Sequence, residues 1–435
     1  MSALTTWKLA DGHPRVLVRP NDLSVLRRRA QPTHTREMSD LLDLAEAVRK
    51  ELPEPATSIG ATFRLAFLYL LSGDRAHAAL AARSLEQTLK LDVSGDYGVG
   101  SARLKAVACA YDWLHAALPE DLRVRAGRRA LEQSQALYNS EEIEPESFLA
   151  GHGINQIPYT LMAGLAVGDE FGGECLACPR PLPLGREPHH PKDYINDVLY
   201  RMERMFACYR HFMEGASFSQ SYAYSLAYLG EIPYLFQLAE TGLGLPYFQE
   251  HAWFANAAPW YTYALRSDES FIRYGDYFCS NSIFKGGYMY RAMAAVASRY
   301  HDGVARWWTK RFQVSGGEPD VFIFDSREGE EAKLETLPRT RHFGPMGIAI
   351  ARGDFADGTL AAFKCSPQYL HNHCHRDQNS LTVFHKGDLA LDAGAYDGYE
   401  SPHWKNYYVR TIAHNTLVDA QPTFDQRTGE AVVSF

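Results

Sequence analysis

The chain has 435 residues, of which 46% are hydrophobic and 22% are charged, a balance typical of a globular protein with a large core. Its formal net charge of −8 argues against a general surface for nucleic acid or heparin-like polyanions, which bind to basic patches, although an acidic protein can still have a locally basic cleft. No apolar run reaches the ~18 residues that a membrane helix needs.

The first residues and the cysteines bear on localisation. Residues 1–8 lack the basic segment and the following apolar segment of a secretory signal. The sequence as written therefore predicts a cytoplasmic protein, or a periplasmic or secreted one whose signal has been removed. The seven cysteines are scattered and odd in number, which disfavours a disulfide framework. Cys175 and Cys178 form a lone CxxC, which we interpret as loop cysteines, with a redox role as the alternative.

Helical spacing of apolar residues extends from about Pro20 to Lys310, with breaks at Gly, Pro and Asn clusters. The predicted helices are Met38–Leu52, Thr62–Leu71, His77–Leu91, Ser101–Ala117, Asp121–Tyr138, Asn155–Val167, Tyr194–Met213, Ser221–Thr241 and Tyr288–Tyr300. Helices joined by short turns suggest antiparallel pairs that stack into a bundle, solenoid or toroid. A regular solenoid is disfavoured, because no strict sequence repeat is visible.

The pattern changes after Gly317, where short strand-like runs are separated by turn signals. These runs are Val321–Phe324, Gly347–Arg352, Leu360–Lys364, Ser380–Phe384, Leu389–Leu391 and Asn415–Val418. Helices followed by strands predict an α+β protein with segregated domains, and we place the helical domain at 1–315 and the β-domain at 316–435. The chain ends at Phe435 inside an apolar run, so we expect a β-domain that is truncated there.

The segment His371–His375 has histidines at alternate positions, which share one face if the segment is extended. His375, Asp392 and His414 supply two imidazoles and one carboxylate from different predicted strands. This set suits Zn²⁺ or a similar divalent ion. A single histidine is more often an ordinary surface or turn residue, but the joint arrangement favours a metal site.

These motifs resemble the heparinase II/III family of glycan lyases. The resemblance rests on His373-x-His375, on Leu-Asp392-Ala-Gly-x-Tyr396 and on Arg410-Thr-Ile-Ala-His414-Asn-Thr. The segments 13–23 and 110–113 are also similar to the family. The resemblance implies an N-terminal (α/α) toroid followed by an antiparallel β-sandwich, in agreement with the periodicity.

The same resemblance implies a metal site and a catalytic histidine in the β-domain. His375, Asp392 and His414 would hold a mainly structural metal inside the sandwich, Zn or alternatively Mn. This metal would fix the loop that presents His373, which is similar to the family's catalytic histidine.

The resemblance also assigns residues of the helical domain. Tyr224 is similar to the catalytic tyrosine, with Tyr222 as the reserve. His152 and Asn155 resemble the motif that neutralises the substrate carboxylate, although Asn155 stands where heparinase II-like members have an acid. On the residues alone, a helix N-cap with a buried histidine is an equal interpretation of His152 and Asn155, and a core aromatic is the usual fate of a tyrosine like Tyr224. The implied substrate-binding residues are Gln156, Tyr222, Tyr396 and Arg410.

These residue types suit β-elimination from a uronate. The C5 proton is weakly acidic, because the ionised carboxylate of the uronate resists a second negative charge. Hydrogen-bond donors must therefore neutralise this carboxylate. His152, Asn155 and Gln156 are the candidate donors. A base then removes the C5 proton and an acid protonates the leaving oxygen at C4. Tyr224 can be the acid, and also the base in a syn geometry, whereas His373 can be the base for the opposite C5 epimer.

We therefore expect a carbon–oxygen lyase that cleaves glycosaminoglycans such as heparin or heparan sulfate. The motif Ser401–Thr411 resembles glycosaminoglycan lyases more than oligoalginate lyases, so an alginate or oligouronide lyase is the second choice. Alternatives are a toroid glycoside hydrolase with Glu214 and Asp112 as its carboxylates, a metal-dependent hydrolase and a carbohydrate-binding protein. The expected partner is an acidic polysaccharide, with no nucleic acid and no membrane, and a homo-oligomer remains open.

Overall fold

The computed structural model describes residues 7–31, 33–140, 152–168, 170–171, 191–213, 215, 217, 221–277, 287–314, 316–366, 373–416, 422–424 and 431–433. The α-helices in this part of the chain are α1 Leu23–Ala30, α2 Thr35–Lys50, α3 Pro55–Ser72, α4 Arg75–Thr88, α5 Val99–Trp113, α6 Glu120–Tyr138, α7 Ile157–Val167, α8 Pro191–Phe212, α9 Tyr222–Leu243, α10 Tyr247–Glu250, α11 Ala257–Ala264, α12 Gly287–Arg299, α13 Gly303–Arg311 and α14 Pro319–Phe324. None of them is long and apolar enough to cross a membrane.

Six helices form a closed inner ring. Each contacts the next in the order α3, α5, α7, α9, α12 and α14, and α14 returns to α3. Every residue of α7 is buried, as expected for a helix with neighbours on all sides. Outside the ring, α4 and α6 pack against α5, and α8 packs against α7. This arrangement is the (α/α) toroid that the resemblance implied, and it is one of the three helical arrangements that the periodicity left open.

Local capping explains where several helices begin and end. Gly73 ends α3 in a left-handed conformation with φ of 68°, which glycine adopts without a steric cost. Asp74 then begins α4 by accepting a hydrogen bond from the amide of Ala76 at 2.8 Å. Ser221 begins α9 in the same way, because its Oγ accepts from the amide of Tyr224 at 3.1 Å. The cap fixes the first turn of α9, which carries Tyr224.

The strands follow the helices, as predicted. The described strands are β1 Thr340–Phe343, β2 Ile348–Arg352, β3 Leu360–Lys364, β4 Ser380–Phe384, β5 Asp388–Ala390, β6 Pro422–Phe424 and β7 Ala431–Val433. Strands β1 to β5 form one antiparallel sheet in sequence order, and β6 pairs with β7. Ile350 of β2 is paired with Ala362 of β3, and both are buried.

One strand prediction was wrong. Val321–Phe324 belongs to helix α14, which starts at Pro319 and buries Val321, Phe322 and Phe324. A four-residue apolar run fits a buried helix as well as a strand, and Pro at the first helical position favours the helix. Helix α14 contacts α1, α3 and α12, so it completes the toroid. The division of the domains at residue 315 stays a prediction.

The five-stranded sheet packs on the toroid through an apolar and a polar contact. Phe343, Ile348 and Ile350 belong to the same hydrophobic core as the helices. The guanidinium of Arg352, which is buried, donates to the carbonyl oxygens of Tyr263 at 2.8 Å and Leu265 at 2.5 Å. The helical part and the sheet are therefore in direct contact, and this contact brings together residues that are distant in the sequence.

Candidate active site and metal centre

Tyr224 and His373 meet where the toroid and the β part come together. Their rings are stacked with centroids 3.4 Å apart and an angle of 10° between the planes. Tyr224 lies in the first turn of α9 and His373 directly precedes the metal-site motif. The structure thus brings into contact the two residues that the resemblance implied as catalytic, although their catalytic roles stay a prediction.

The environment of Tyr224 favours the protonated phenol. Burial raises the pKa of Tyr224 well above its usual value, and the hydrogen bond with Tyr396 raises it further. The ring of Tyr396 stands edge-on to Tyr224, with centroids 6.3 Å apart. At neutral pH the Tyr224 hydroxyl therefore holds its proton, which is the state required of a general acid.

Asp276 connects His373 with His375, although no sequence motif pointed to this residue. Its Oδ2 lies 2.5 Å from His373 Nδ1, its Oδ1 lies 2.8 Å from His375 Nε2, and Trp404 Nε1 donates to Oδ1 at 2.8 Å. Burial raises the pKa of Asp276, but the hydrogen bonds from His373 and His375 outweigh it, so the pKa lies below its usual value. Asp276 is therefore an ionised acceptor that fixes both imidazoles.

The Asp276 carboxylate selects the tautomer of His373. An ionised carboxylate only accepts hydrogen bonds, so Nδ1 of His373 must donate. In the neutral ring the lone pair then lies on Nε2, as in a histidine that acts as a base. The ring of Tyr399 also lies next to His373, with the ring centroids 5.2 Å apart. The arrangement gives a basic nitrogen next to the Tyr224 hydroxyl group.

His375, Asp392 and His414 form a buried cluster. Their potential ligand atoms all lie within 4.8 Å of one another, and His414 Nδ1 is 2.6 Å from Asp392 Oδ1. They come from three separate segments, since His375 precedes β4, Asp392 follows β5 and His414 follows a 3₁₀ turn. The structure therefore brings together the three residues that the sequence predicted as a metal site.

The polar atoms of this cluster fit a bound cation. Within the described part of the chain, His375 Nδ1 and His414 Nε2 are buried and have no hydrogen-bond partner, a costly arrangement in a protein interior. A divalent ion accepts imidazole lone pairs and carboxylate oxygens together. Asp276 holds the other nitrogen of His375, as an outer carboxylate does for a metal-bound histidine. The donor set fits zinc, and the metal itself stays a prediction.

Asn155 and Gln156 lie next to α9 on the helical side. The 3₁₀ turn His152–Asn155 contacts both α7 and α9. Asn155 is buried, its Oδ1 has no hydrogen-bond partner, and its backbone oxygen accepts from Ser101 Oγ at 2.9 Å. Gln156 is fully buried and its Nε2 donates to Ser140 at 2.9 Å. Gln156 Oε1, like Asn155 Oδ1, has no hydrogen-bond partner among the described residues.

The other predicted substrate-binding residues differ in exposure. Tyr222 is a core residue, buried against Phe271 with ring centroids 4.7 Å apart. Tyr396 is half-buried beside Tyr224 and His373, and Arg410 is exposed. The side chain of His152 lies outside the described residues, as do Cys175, Cys178, Glu214 and His371.

Asp112, which the hydrolase alternative uses, has a structural environment. It is buried, and its Oδ2 accepts from the amides of Arg15 and Val16, both at 2.9 Å. Its Oδ1 lies 2.6 Å from Nδ1 of His13. These bonds tie the N-terminal segment to α5, so the carboxylate is occupied.

Known proteins are similar to this chain in part of its sequence and in its fold. Residues 335–421 match the family model described as Heparinase II/III-like, C-terminal. A heparinase III gene product has 14% sequence identity and a TM-score of 0.50, with 82% of this chain and 54% of that chain covered. A mutant of the heparan sulfate lyase HepC from Pedobacter heparinus has 13% identity and a TM-score of 0.50, with 85% and 55% covered.

These findings confirm the resemblance to the heparinase II/III-like family and the predicted combination of a toroid with a β-sandwich. At such low identity the likeness to the solved structures concerns the fold. The chain spans about half the length of those two solved structures. No curated protein matches the chain.

Proposed function

We propose that this heparinase II/III-like chain is a polysaccharide lyase that cleaves uronate-containing glycosaminoglycans by β-elimination. The observation that supports it most directly is the stack of Tyr224 on His373, with centroids 3.4 Å apart. It places a protonated phenol and an imidazole oriented by a carboxylate side by side. Elimination needs such a pair, one acid and one base on a single sugar linkage.

In the proposed reaction His373 Nε2 removes the proton at C5 of the uronate. The bond between Asp276 and His373 Nδ1 stabilises the imidazolium that forms. The electrons of the C5–H bond form the C4–C5 double bond while the C4–O bond breaks. Tyr224 gives its proton to the leaving oxygen, and its raised pKa ensures that the proton is present at neutral pH. The His373 imidazolium then releases its proton to solvent and the Tyr224 phenolate takes one up, which restores both groups.

Charge on the substrate carboxylate must be neutralised while the C5 proton leaves. Asn155 is the proposed donor on the helical side, through its Nδ2 amide group, because it is buried in a turn that contacts α9. His152 is the second proposed donor. Tyr396, half-buried against Tyr224, and the exposed Arg410 are proposed to contact the sugar on the β side.

We also propose that His375, Asp392 and His414 hold a divalent ion, zinc before manganese. A bound ion would act as a structural cross-link between three segments of the β part. Asp276 contacts both His375 and His373. A metal ion that fixes His375 would therefore also help to fix the orientation of the His373 imidazole.

The experiment that tests the proposed function is a product analysis on a panel of uronic-acid polysaccharides, with heparan sulfate first and alginate included. Elimination gives an unsaturated uronate that absorbs in the ultraviolet, and the summed mass of the products equals that of the substrate. Hydrolysis adds one water to each cleavage. Products that are heavier by one water, without the ultraviolet band, would overturn the lyase proposal.

A further inference from the structure

Arg103 of α5 is a buried cation without a partner. Only 6% of its surface is exposed, and its Nε and Nη1 are themselves buried without a hydrogen-bond partner among the described residues. The other buried arginines of the described chain all have one: Arg201 pairs with Asp197, Arg291 with Asp320, Arg306 with Asp325 and Arg266 with Asp388, and Arg15 and Arg352 donate to backbone oxygens. A buried charge with unpaired donors strongly destabilises a fold unless something binds it.

Arg103 lines a cavity of about 600 Å³ near the N-terminus of α5, a volume within the usual range for small-ligand sites. Its walls are mostly apolar and include Ile59, Leu91 and the ring of Tyr97. A flat aromatic ring and aliphatic side chains suit the apolar face of a sugar, and the guanidinium provides the polar anchor. The combination is typical of a site for an amphipathic anion.

The charges around the cavity leave Arg103 available. Burial lowers the pKa of Arg103, nearby Arg129 lowers it further, and Asp92 raises it. None of the described carboxylates forms an ion pair with it. Asp96 also lines the cavity, but its Oδ1 accepts from the amides of Gly98 and Val99 at 2.9 and 2.7 Å. This oxygen is therefore engaged in capping α5.

The cavity adjoins the candidate active site. Ser101, two residues before Arg103, donates to the backbone oxygen of Asn155 at 2.9 Å. Tyr97, on the cavity wall, is close enough to Tyr224 to raise the pKa of its hydroxyl group. A polymer that reaches Tyr224 and Asn155 can therefore extend across the start of α5 toward Arg103.

We propose that Arg103 and Tyr97 form a subsite for an acidic sugar next to the cleaved linkage, in which the guanidinium binds a sulfate or carboxylate oxygen. The guanidinium fork matches both oxyanions in a bidentate geometry. The assignment of a polysaccharide ligand to this subsite rests on the proposed function, whereas the binding of an anion by Arg103 does not. It would select chains with an anionic group on the sugar that flanks the reacting uronate.

The test compares Arg103→Met with wild type and with Arg125→Met. Arg125 is an exposed arginine of α6 paired with Asp121, so its substitution removes the same charge away from the cavity. Melting temperatures are measured in sodium sulfate and in sodium chloride at matched ionic strength. KM and kcat are then measured on the polysaccharide that gives the fastest ultraviolet signal with wild type.

We expect Arg103→Met to melt at or above the wild-type temperature in chloride. Removing an arginine that stabilises the fold through an ion pair would lower the melting temperature, whereas removing an unpaired buried arginine would not. It should lose the sulfate-specific stabilisation that wild type and Arg125→Met retain. Its KM should rise about tenfold, as for a lost charge-assisted hydrogen bond, while kcat changes by less than about threefold.

A lower melting temperature together with an undiminished sulfate effect would show that Arg103 is structural and overturn the subsite. An unchanged KM on a cleaved polymer would also overturn it. If wild type cleaves no polysaccharide, the proposed function fails separately. The sulfate comparison then still decides, since loss of the effect in Arg103→Met alone supports an anion site and its persistence overturns one.

Discussion

The imidazole of His373 lies flat on the phenol ring of Tyr224, with centroids 3.4 Å apart. One residue belongs to the toroid and the other to the β part, so the contact exists only when the two parts are assembled. An acid and a base held this close can act on the two ends of one C5–C4–O unit. The arrangement leads to four predictions besides the test of the Arg103 subsite.

The first prediction concerns the acid. Tyr224→Phe removes the proton donor and keeps the ring that stacks on His373, so the fold should survive. The kcat should fall by about 10²–10⁴, the range typical of lost proton transfer, with little change in KM. Tyr407→Phe, at an exposed tyrosine of the β part, is the matched control and should retain full activity. A fully active Tyr224→Phe would show that Tyr224 is not the acid.

The second prediction concerns the carboxylate that links base and metal site. Asp276→Asn keeps the shape of the side chain, but the amide has only one oxygen and can no longer accept hydrogen bonds from both His373 and His375. We expect kcat and the affinity for the metal each to fall by about 10–100-fold, as for an outer ligand partner, so that the metal content falls as well. Asp357→Asn, at an exposed carboxylate paired with Lys386, should change neither. Unchanged activity and metal content in Asp276→Asn would show that Asp276 does not position the imidazoles.

The third prediction concerns the metal. Elemental analysis should find close to one divalent ion per chain, and His414→Ala should lower metal content and melting temperature together, because binding energy contributes to folding. A chelator should lower the melting temperature of wild type toward that of the variant. His342→Ala, at an exposed histidine of β1, is the control. Wild-type protein without metal and with no response to the chelator would contradict the proposed metal site.

The fourth prediction is a pH dependence of stability. Burial raises the pKa of Glu231 to about 7, although Arg291 and the hydrogen bond from Tyr159 act in the opposite direction. A carboxyl group with a raised folded-state pKa favours folding at low pH and loses that contribution as pH rises through about 7. Glu231→Gln mimics the protonated form, so its advantage over wild type in urea unfolding should grow from pH 5 to pH 8. An advantage that is constant with pH, as expected for the exposed-site control Glu46→Gln, would contradict the shift.

The sequence alone determined the fold class and led to the prediction of a metal site. Helical and strand periodicity are local properties, so nine helices and the sheet strands from Gly347 to Leu391 were visible without a structure. His375, Asp392 and His414 could be predicted because each lies in a short motif of chemically unusual residues.

The tertiary structure decided the contacts between these segments. Asp276 lies 97 residues from His373 in a stretch without any motif, and only the packing of the β part on the toroid makes it their shared acceptor. Arg103 reads in the sequence as one more helical arginine, because the absence of a partner is a property of its surroundings. The composition of Val321–Phe324 fits a helix and a strand equally well. The run is a helix because of its position in the ring of helices.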